Sequence, residues 1–266
     1  MQSLIDLPLA DDVDSVLSTF TSHGLSDLNN SSLMNRVDSK FLVSREQLPL
    51  ILQHCCDHYS VLAIDQRQRF KYQSCYYDND DLSFFHQHHQ GKLNRIKLRH
   101  RSYVDTGTSF VELKFKNNKG RTIKSRVAAG DNPIVALERA QPFLIDQGVS
   151  NFDGLKAVQT GQYSRISLAN ESIGERLTID SDLSFFNLTN WQAKILSNVV
   201  ILELKQHRHN RGSPLYQFMR TLAVRPQSFS KYCIGMALTR DSSLRVNRFK
   251  KNLLNLNKIE QQRVSL

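Results

Sequence analysis

No stretch of this 266-residue chain approaches the ~18–20 consecutive apolar residues of a bilayer-crossing helix, so no such span is expected. The opening segment, MQSLIDLPLADDVDSV, carries acids but no Lys or Arg, whereas a secretory leader starts with basic residues followed by an apolar run. A soluble, cytoplasmic protein is expected. Cysteine is scarce: Cys55, Cys56, Cys75 and Cys233 include one adjacent pair and no C-x-x-C spacing, which argues against a disulfide framework and a zinc site. There is one tryptophan and no RRM, KH or zinc-finger signature, which argues against a nucleic-acid partner. Walker and G-x-G-x-x-G loops are missing too, and no Ser-His-Asp or Cys-His constellation can be assembled. The one low-complexity patch, HQHHQ at 86–90, fits no strong metal-ligand spacing and reads as a solvated loop.

What the chain does have is positive charge. It holds 35 Lys and Arg against 25 Asp and Glu, a formal net charge of +10. Such an excess predicts an anionic partner and by itself leaves nucleic acid, anionic lipid and polyphosphate open. The charge is local. Between Lys92 and Arg126, eleven Lys or Arg stand against only Asp105 and Glu112, so the remainder of the chain is close to neutral.

The basic segment also alternates, and alternation at period two is the mark of strands with two different faces. Arg95, Lys97, Arg99 and Arg101 share a face opposite Ile96 and Leu98. Phe110, Glu112, Lys114 and Lys116 oppose Val111, Leu113 and Phe115, and Lys124 and Arg126 oppose Ile123 and Val127. Further on, Tyr163 pairs with Arg165, Arg176 with Asp180, and Glu203 with Lys205 in the same manner. An antiparallel sheet with one wet face alternates like this, but a wet face usually mixes both signs. Like charges opposite one another destabilise a sheet. This pattern therefore calls for a compensating anion, and a basic face turned inward makes a tunnel.

The expected fold class is α+β: an antiparallel β-barrel tunnel with helices packed outside. Strands at 36–43, 70–77, 93–104, 108–117, 121–128, 159–168, 174–181 and 198–206 should form one closed or nearly closed barrel. Helices are expected at 45–58 with Ser44 as N-cap and Pro49 in the first turn, at 132–141 capped by Asp131, and at 213–222 and 228–239. Residues 78–81 read as a turn and 82–90 as a short helix or loop. A helical lead-in over 1–32 precedes a domain over 33–240. A basic amphipathic helix, with Val246, Phe249, Leu253 and Leu256 at helical spacing, occupies 241–266.

Nine short motifs in order resemble the VTC domain, the polyphosphate polymerase domain of the vacuolar transporter chaperone family. They are R-x-x-x-K-F (Arg36 to Phe41), YYD-x-x-D-L (Tyr76 to Leu82), K-x-R-x-R-x-Y (Lys97 to Tyr103), F-V-E-x-K (Phe110 to Lys114) and K-x-R (Lys124 to Arg126). Y-x-R (Tyr163 to Arg165), R-x-T-x-D-x-D (Arg176 to Asp182), L-E-x-K (Leu202 to Lys205) and F-S-K-Y (Phe229 to Tyr232) complete the series. Each motif alone is weak; nine in sequence, spanning about residues 33–240, are specific.

The resemblance implies a triphosphate-tunnel fold related to the CYTH proteins. It also implies transfer of the γ-phosphate of ATP to a growing polyphosphate chain, with Mn²⁺ or Mg²⁺. Carried onto this sequence, it makes Arg99, Arg101, Lys114 and Lys231 catalytic cations. Lys40, Lys124, Arg126, Arg165 and Arg176 become phosphate-binding cations, and Tyr163 and Ser230 polar phosphate contacts. Glu203 matches the metal-binding glutamate, with Glu112 or Asp180 as helpers. CYTH phosphatases open with E-x-E-x-K, where this chain has Arg36-Val37-Asp38-Ser39-Lys40, a departure toward the VTC branch that leaves fewer metal ligands. The SPX domain and membrane segments of eukaryotic relatives have no counterpart in this sequence, so inositol-phosphate sensing is not expected within it. Two rival readings stay open: a triphosphatase or polyphosphatase with water as acceptor, and a non-enzymatic polyphosphate-binding module.

Overall fold

The computed structural model describes residues 13–28, 37–119, 122–149, 154–241 and 244–262. Eleven described strands form one sheet. They are β1 (Ser22–His23), β2 (Val37–Ser44), β3 (Ser60–Leu62), β4 (Arg69–Asp78), β5 (Arg95–Tyr103), β6 (Thr108–Lys116), β7 (Thr122–Ala129), β8 (Lys156–Asn170), β9 (Glu175–Asn187), β10 (Ala193–Leu196) and β11 (Val199–Gln206). The main path runs β2-β11-β9-β8-β4-β5-β6-β7, with every neighbouring pair antiparallel. All eight expected barrel strands are present along it. Among the described residues no pairing joins β7 to β2, so the curled sheet stops short of closure.

Register places charge against charge. Glu112 lies opposite Arg99 on one side and Arg126 on the other, and Lys114 lies between Lys97 and Lys124. Glu203 faces Lys40, Lys205 faces both Asp38 and Arg176, and Arg165 faces Asp180. A strand's side-chain period of two puts all of these on one side of the sheet.

The other side is apolar and covered. Phe41, Val43, Ile166, Leu168, Leu177, Ile179, Leu202 and Leu204 pack under α1 (Val13–Ser18), α2 (Leu48–Cys56) and, beyond α3 (Ser83–Gln90), α4 (Pro133–Arg139) and α5 (Gln141–Asp146), under α6 (Pro214–Thr221). Leu98, Val111, Leu113 and Tyr77 pack with Ala136 of α4 and Leu144 of α5. A helix predicted over 45–58 is in fact a 3₁₀ turn (Arg45–Gln47) followed by α2, because Pro49 fits only the first turn of an α-helix. Asn132, not Asp131, caps α4, accepting from the backbone N–H groups of Ile134 and Val135; Asp131 instead accepts from the Ser109 hydroxyl.

α7 (Lys231–Leu238) behaves differently from these covering helices. It packs on the cation-bearing side, where Leu42, Ile201, Tyr76, Tyr163 and Phe185 share the face of Lys40, Glu203 and Arg99. Gly235 makes this approach possible, since a Cβ there would sit 2.5 Å from both Gln159 Nε2 and Phe185 Cδ1. The buried Asp78 carboxylate fixes the end of β4 to two helices. It accepts from the Phe84 and Phe85 N–H groups at the start of α3 and from Tyr232 Oη of α7 at 2.5 Å. α8 (Lys250–Gln261) buries Leu256 and Ile259 in the same core as α7. The HQHHQ patch is not a solvated loop: it lies within α3, where His88 and His89 stack against Phe249 and Phe85 respectively. Burial and the surrounding cations, Lys97 first, push His88 down to about 3.

Candidate functional site: a basic tunnel with internal carboxylates

Charge on the concave side gathers around a cavity of about 630 Å³. Of the residues proposed from sequence, Lys40, Arg99, Arg101, Lys114, Lys124, Arg165, Arg176, Asp180, Glu203, Ser230 and Lys231 line it. Tyr163 stands just behind, its hydroxyl accepting from Arg101 Nη2 at 3.1 Å. Glu112 lies beneath the cavity floor, fully buried. Arg126 does not line the cavity; its guanidinium rests 4.4 Å above the Phe110 ring centroid. Arg95, Lys97, Lys116, Lys205 and Asp38 also line the cavity and were not among the assigned residues. The signal for the first two was present, since they share the inner face of β5 with Arg99 and Arg101.

Three carboxylates organise the cations. Glu112 Oε2 accepts from Arg99 Nε at 2.8 Å and Nη2 at 2.5 Å, while Lys124 Nζ lies 2.5 Å from Oε1 and Arg101 Nε 3.8 Å from Oε2. Burial alone would raise the pKa of Glu112. Arg99, Arg101 and Lys124 more than reverse this and hold it well below the usual carboxylate range. Asp180 takes a two-point contact from Arg165, Nε at 2.6 Å and Nη2 at 2.8 Å, and an ion pair from Lys231. Against the opposing effect of burial, these two cations keep it ionised. Glu203 Oε1 accepts from Lys40 Nζ at 2.6 Å and Oε2 lies 3.8 Å from Lys205 Nζ. Burial again opposes ionisation, and Lys205, Lys40 and Lys114 overcome it.

Two facing lysines stand apart from these carboxylates. Lys97 and Lys114 sit directly opposite each other on β5 and β6. Lys97 donates to Ser230 Oγ at 2.8 Å, the same hydroxyl that caps α7. Among the described residues neither lysine has a carboxylate within ion-pair distance. Burial pushes Lys97 down to about 8, with Arg95, Lys40 and Arg99 adding to the effect. Arg99 and burial hold Lys114 well below its ordinary value. Positive charge is thus concentrated, part-desolvated and unmet at one place, which is the electrostatic signature of an anion site.

A divalent cation would find a partial home. Among the described residues no three carboxylate, His or Cys side chains converge. Glu203 faces the cavity with 21% of its side chain exposed and can supply one hard oxygen. That matches the way Mg²⁺ is commonly held, by one or two carboxylates with the remaining ligands from substrate phosphates and water.

The VTC domain sequence model matches residues 35–240. A comparison with curated proteins finds no match. Among solved structures, a candidate adenylate cyclase from Bacillus halodurans aligns with TM-score 0.50 at 16% identity, covering 74% of this chain and 94% of that one. The PH1819 protein from Pyrococcus horikoshii OT3 aligns with TM-score 0.44 at 12% identity over 76% and 99%. A Hippeastrum adenylyl cyclase candidate, described as having a dominant triphosphatase activity, aligns with TM-score 0.44 at 12% identity over 78% and 98%. The described helices include none long and apolar enough to cross a membrane. With nine ordered motifs, a curled antiparallel sheet and a cation-lined cavity on its inner face, the chain belongs to the VTC domain family.

Proposed function

We propose that this chain is a polyphosphate polymerase-like phosphotransferase, moving the γ-phosphate of ATP onto a polyphosphate chain inside the basic cavity. The observation that carries this reading is the facing pair Lys97 and Lys114, backed by Arg99 and Arg101 and lacking a carboxylate of its own. Phosphoryl transfer asks the protein for position and charge rather than covalent chemistry. A terminal oxygen of the acceptor attacks the γ-phosphorus, the bond to the bridging β,γ-oxygen breaks, and ADP leaves. Arg99, Arg101, Lys114 and Lys231 surround the transferring group. Lys40, Lys124, Arg165 and Arg176, with Tyr163 and Ser230, grip the rest of the phosphate chain. Arg126, on the rim, reaches only a part of the ligand that projects outward. Glu203 would hold Mn²⁺ or Mg²⁺, which supplies charge neutralisation on the phosphate oxygens. Residues 33–240 form the working domain. We place it in the cytoplasm, where ATP is available and where its four free cysteines are at home.

The test uses purified protein with ATP and Mn²⁺, sizing phosphate products on a gel. Chain growth is expected. Orthophosphate released without chain growth would assign the water-accepting triphosphatase reaction instead, and no turnover with either metal would leave a binding module. Glu203→Gln should keep or slightly raise polyphosphate affinity, because it removes a negative charge from a basic cavity, while turnover collapses. Full turnover in that variant refutes the role given to Glu203.

A further inference from the structure

Past the last β4 pair, Arg69 with Ile166, β3 takes over the same edge of β8, with Ser60 opposite Ala169 and Val61 opposite Leu168. β1 runs parallel to β3 and sets His23 beside Leu62. These two short strands extend the wall at one end of the cavity, where His23 and Leu62 line it together with Ser167, Ala169 and Arg176. β1 lies ahead of residues 35–240, so the family match assigns no role to His23.

The state of the imidazole follows from its partners. Ser60 Oγ donates its one proton to the Ala169 carbonyl at 3.3 Å, so toward His23 Nδ1, 2.8 Å away, it accepts. Nδ1 therefore carries the ring hydrogen and Nε2 a bare lone pair. Nε2 is shielded from water and meets no hydrogen-bond partner among the described residues. Burial first, and then Arg176 of β9, lower the pKa of the ring, while the exposed acids Glu171 in the β8–β9 turn and Asp27 in the turn Ser26–Leu28 pull the other way. At pH 7 the ring is neutral. A buried nitrogen left unmet is destabilising, and packing alone does not explain it.

We propose that His23 Nε2 recognises the end of a phosphate chain. This rests on the polyphosphate reading of the cavity. Lys and Arg only donate hydrogen bonds, so they grip internal and terminal phosphates alike. An internal phosphate holds one strongly acidic oxygen and no proton near neutrality. A terminal phosphate has a second, weaker ionisation, at about 6 in a phosphate monoester, and can hold a proton. The bare Nε2 accepts from that P–OH. When the terminal group arrives as the dianion, Nε2 takes a proton from solvent and donates it to the terminal oxygen. Either way one proton lies between Nε2 and the chain end, and an internal phosphate is too weak a base to share it. Ser60 fixes the ring for this contact through Nδ1–H.

The experiment is calorimetric titration of the full chain with linear tripolyphosphate and with cyclic trimetaphosphate, a ring of phosphates without ends. Wild type, His23→Leu and His23→Gln are compared, at pH 7 for affinity and at pH 8, in two buffers of different ionisation enthalpy, for proton uptake. His23→Leu should weaken tripolyphosphate on the order of tenfold, the size of one hydrogen bond to a charged group. At pH 8 its proton uptake should fall below that of wild type by a substantial fraction of one proton. Its trimetaphosphate affinity should be unchanged. His23→Gln keeps a donor and an acceptor but cannot titrate, so it should bind tripolyphosphate better than the leucine variant while showing the same lowered uptake. If the ring does not bind wild type, the uptake and the comparison of the two variants decide alone. Equal tripolyphosphate affinity and uptake in wild type and His23→Leu overturns the assignment and leaves the tunnel reading standing. An equal loss on chain and ring makes His23 a packing residue of the wall and overturns it too. Failure of wild type to bind tripolyphosphate overturns the tunnel reading and this inference with it.

Discussion

Lys97 provides the sharpest test of the anion site. Its amine is held at about 8 against an ordinary 10.5. The groups facing it are Arg95 and Arg99 on its own strand, Lys40 on β2, Lys114 across β6, and Ser230 with Cys233 at the start of α7. A bound phosphate brings negative charge and raises the value again. Binding at pH 8–9 therefore takes up a proton, and affinity, full below pH 8, falls as pH rises above it. If the ligand restored the ordinary value completely, each unit being worth about 1.36 kcal/mol, the linked loss would reach ~3 kcal/mol, or about 300-fold in affinity. Partial restoration gives less, so this is a ceiling. In the ligand-free protein the sign reverses. Between pH 8 and 10.5 the unfolded chain holds more protons at this site than the native state, so this lysine's contribution makes stability rise with pH across that window. The assay is calorimetric titration with tripolyphosphate at pH 8.5 in buffers of different ionisation enthalpy, for wild type and Lys97→Met. Subtracting the variant removes the ligand's own protonation. Proton uptake is expected to exceed the variant's by a substantial fraction of one proton. Equal uptake in the two proteins would refute the assignment of Lys97 to the ligand.

Four further outcomes are expected. Arg101→Ala should weaken tripolyphosphate binding by ~1–3 kcal/mol, the range for a charge-assisted hydrogen bond, as read by titration. Asp180→Asn should destabilise the fold by about 3–5 kcal/mol in urea denaturation, because Arg165 and Lys231 would lose their shared counter-charge in a buried place. The depressed pKa values of Glu112 and Asp180 make the same point through pH: their contribution is full above the ordinary values of 4.5 and 3.8 and is lost as pH falls further, so acid unfolding should begin below that range. Gly235→Ala should cost ~1–3 kcal/mol through overpacking against Gln159 and Phe185, and should weaken ligand binding by displacing Lys231, both measurable on one preparation.

The barrel strands were legible because each carries ionic residues on one face and branched or aromatic ones on the other, a pattern of period two that no helix reproduces. The shared inner face of Arg99, Lys114, Lys124 and Glu203 followed from that alone. Which cation meets which carboxylate did not, because it depends on register: Lys97 faces no carboxylate across the sheet because β6 sets Lys114, not Glu112, opposite it. The position of α7 was equally hidden. Tyr232, Cys233, Ile234, Gly235, Met236 and Ala237 are all buried, so the segment has no polar side to betray which face of the sheet it meets. β3 and β10, three and four residues long, are too short to establish a period. Residues 29–36, which include the first motif position Arg36, lie outside the described residues.

The carboxylates inside the cavity bear on how a polyanion is paid for in salt. A bare groove of Lys and Arg collects mobile anions from solution, and releasing them on binding makes affinity fall steeply with ionic strength. Here Glu112, Asp180, Glu203 and Asp38 are built-in counter-ions that no ligand can release into solution. Twelve Lys and Arg line the cavity, yet the salt slope should report only the fraction that these four leave uncompensated. A single phosphate offers too little charge to draw the paired cations away from them. A chain of phosphates, presenting charge at every unit, would engage several at once, so on the function proposed above the wall would select for length before any residue reads the ligand's chemistry.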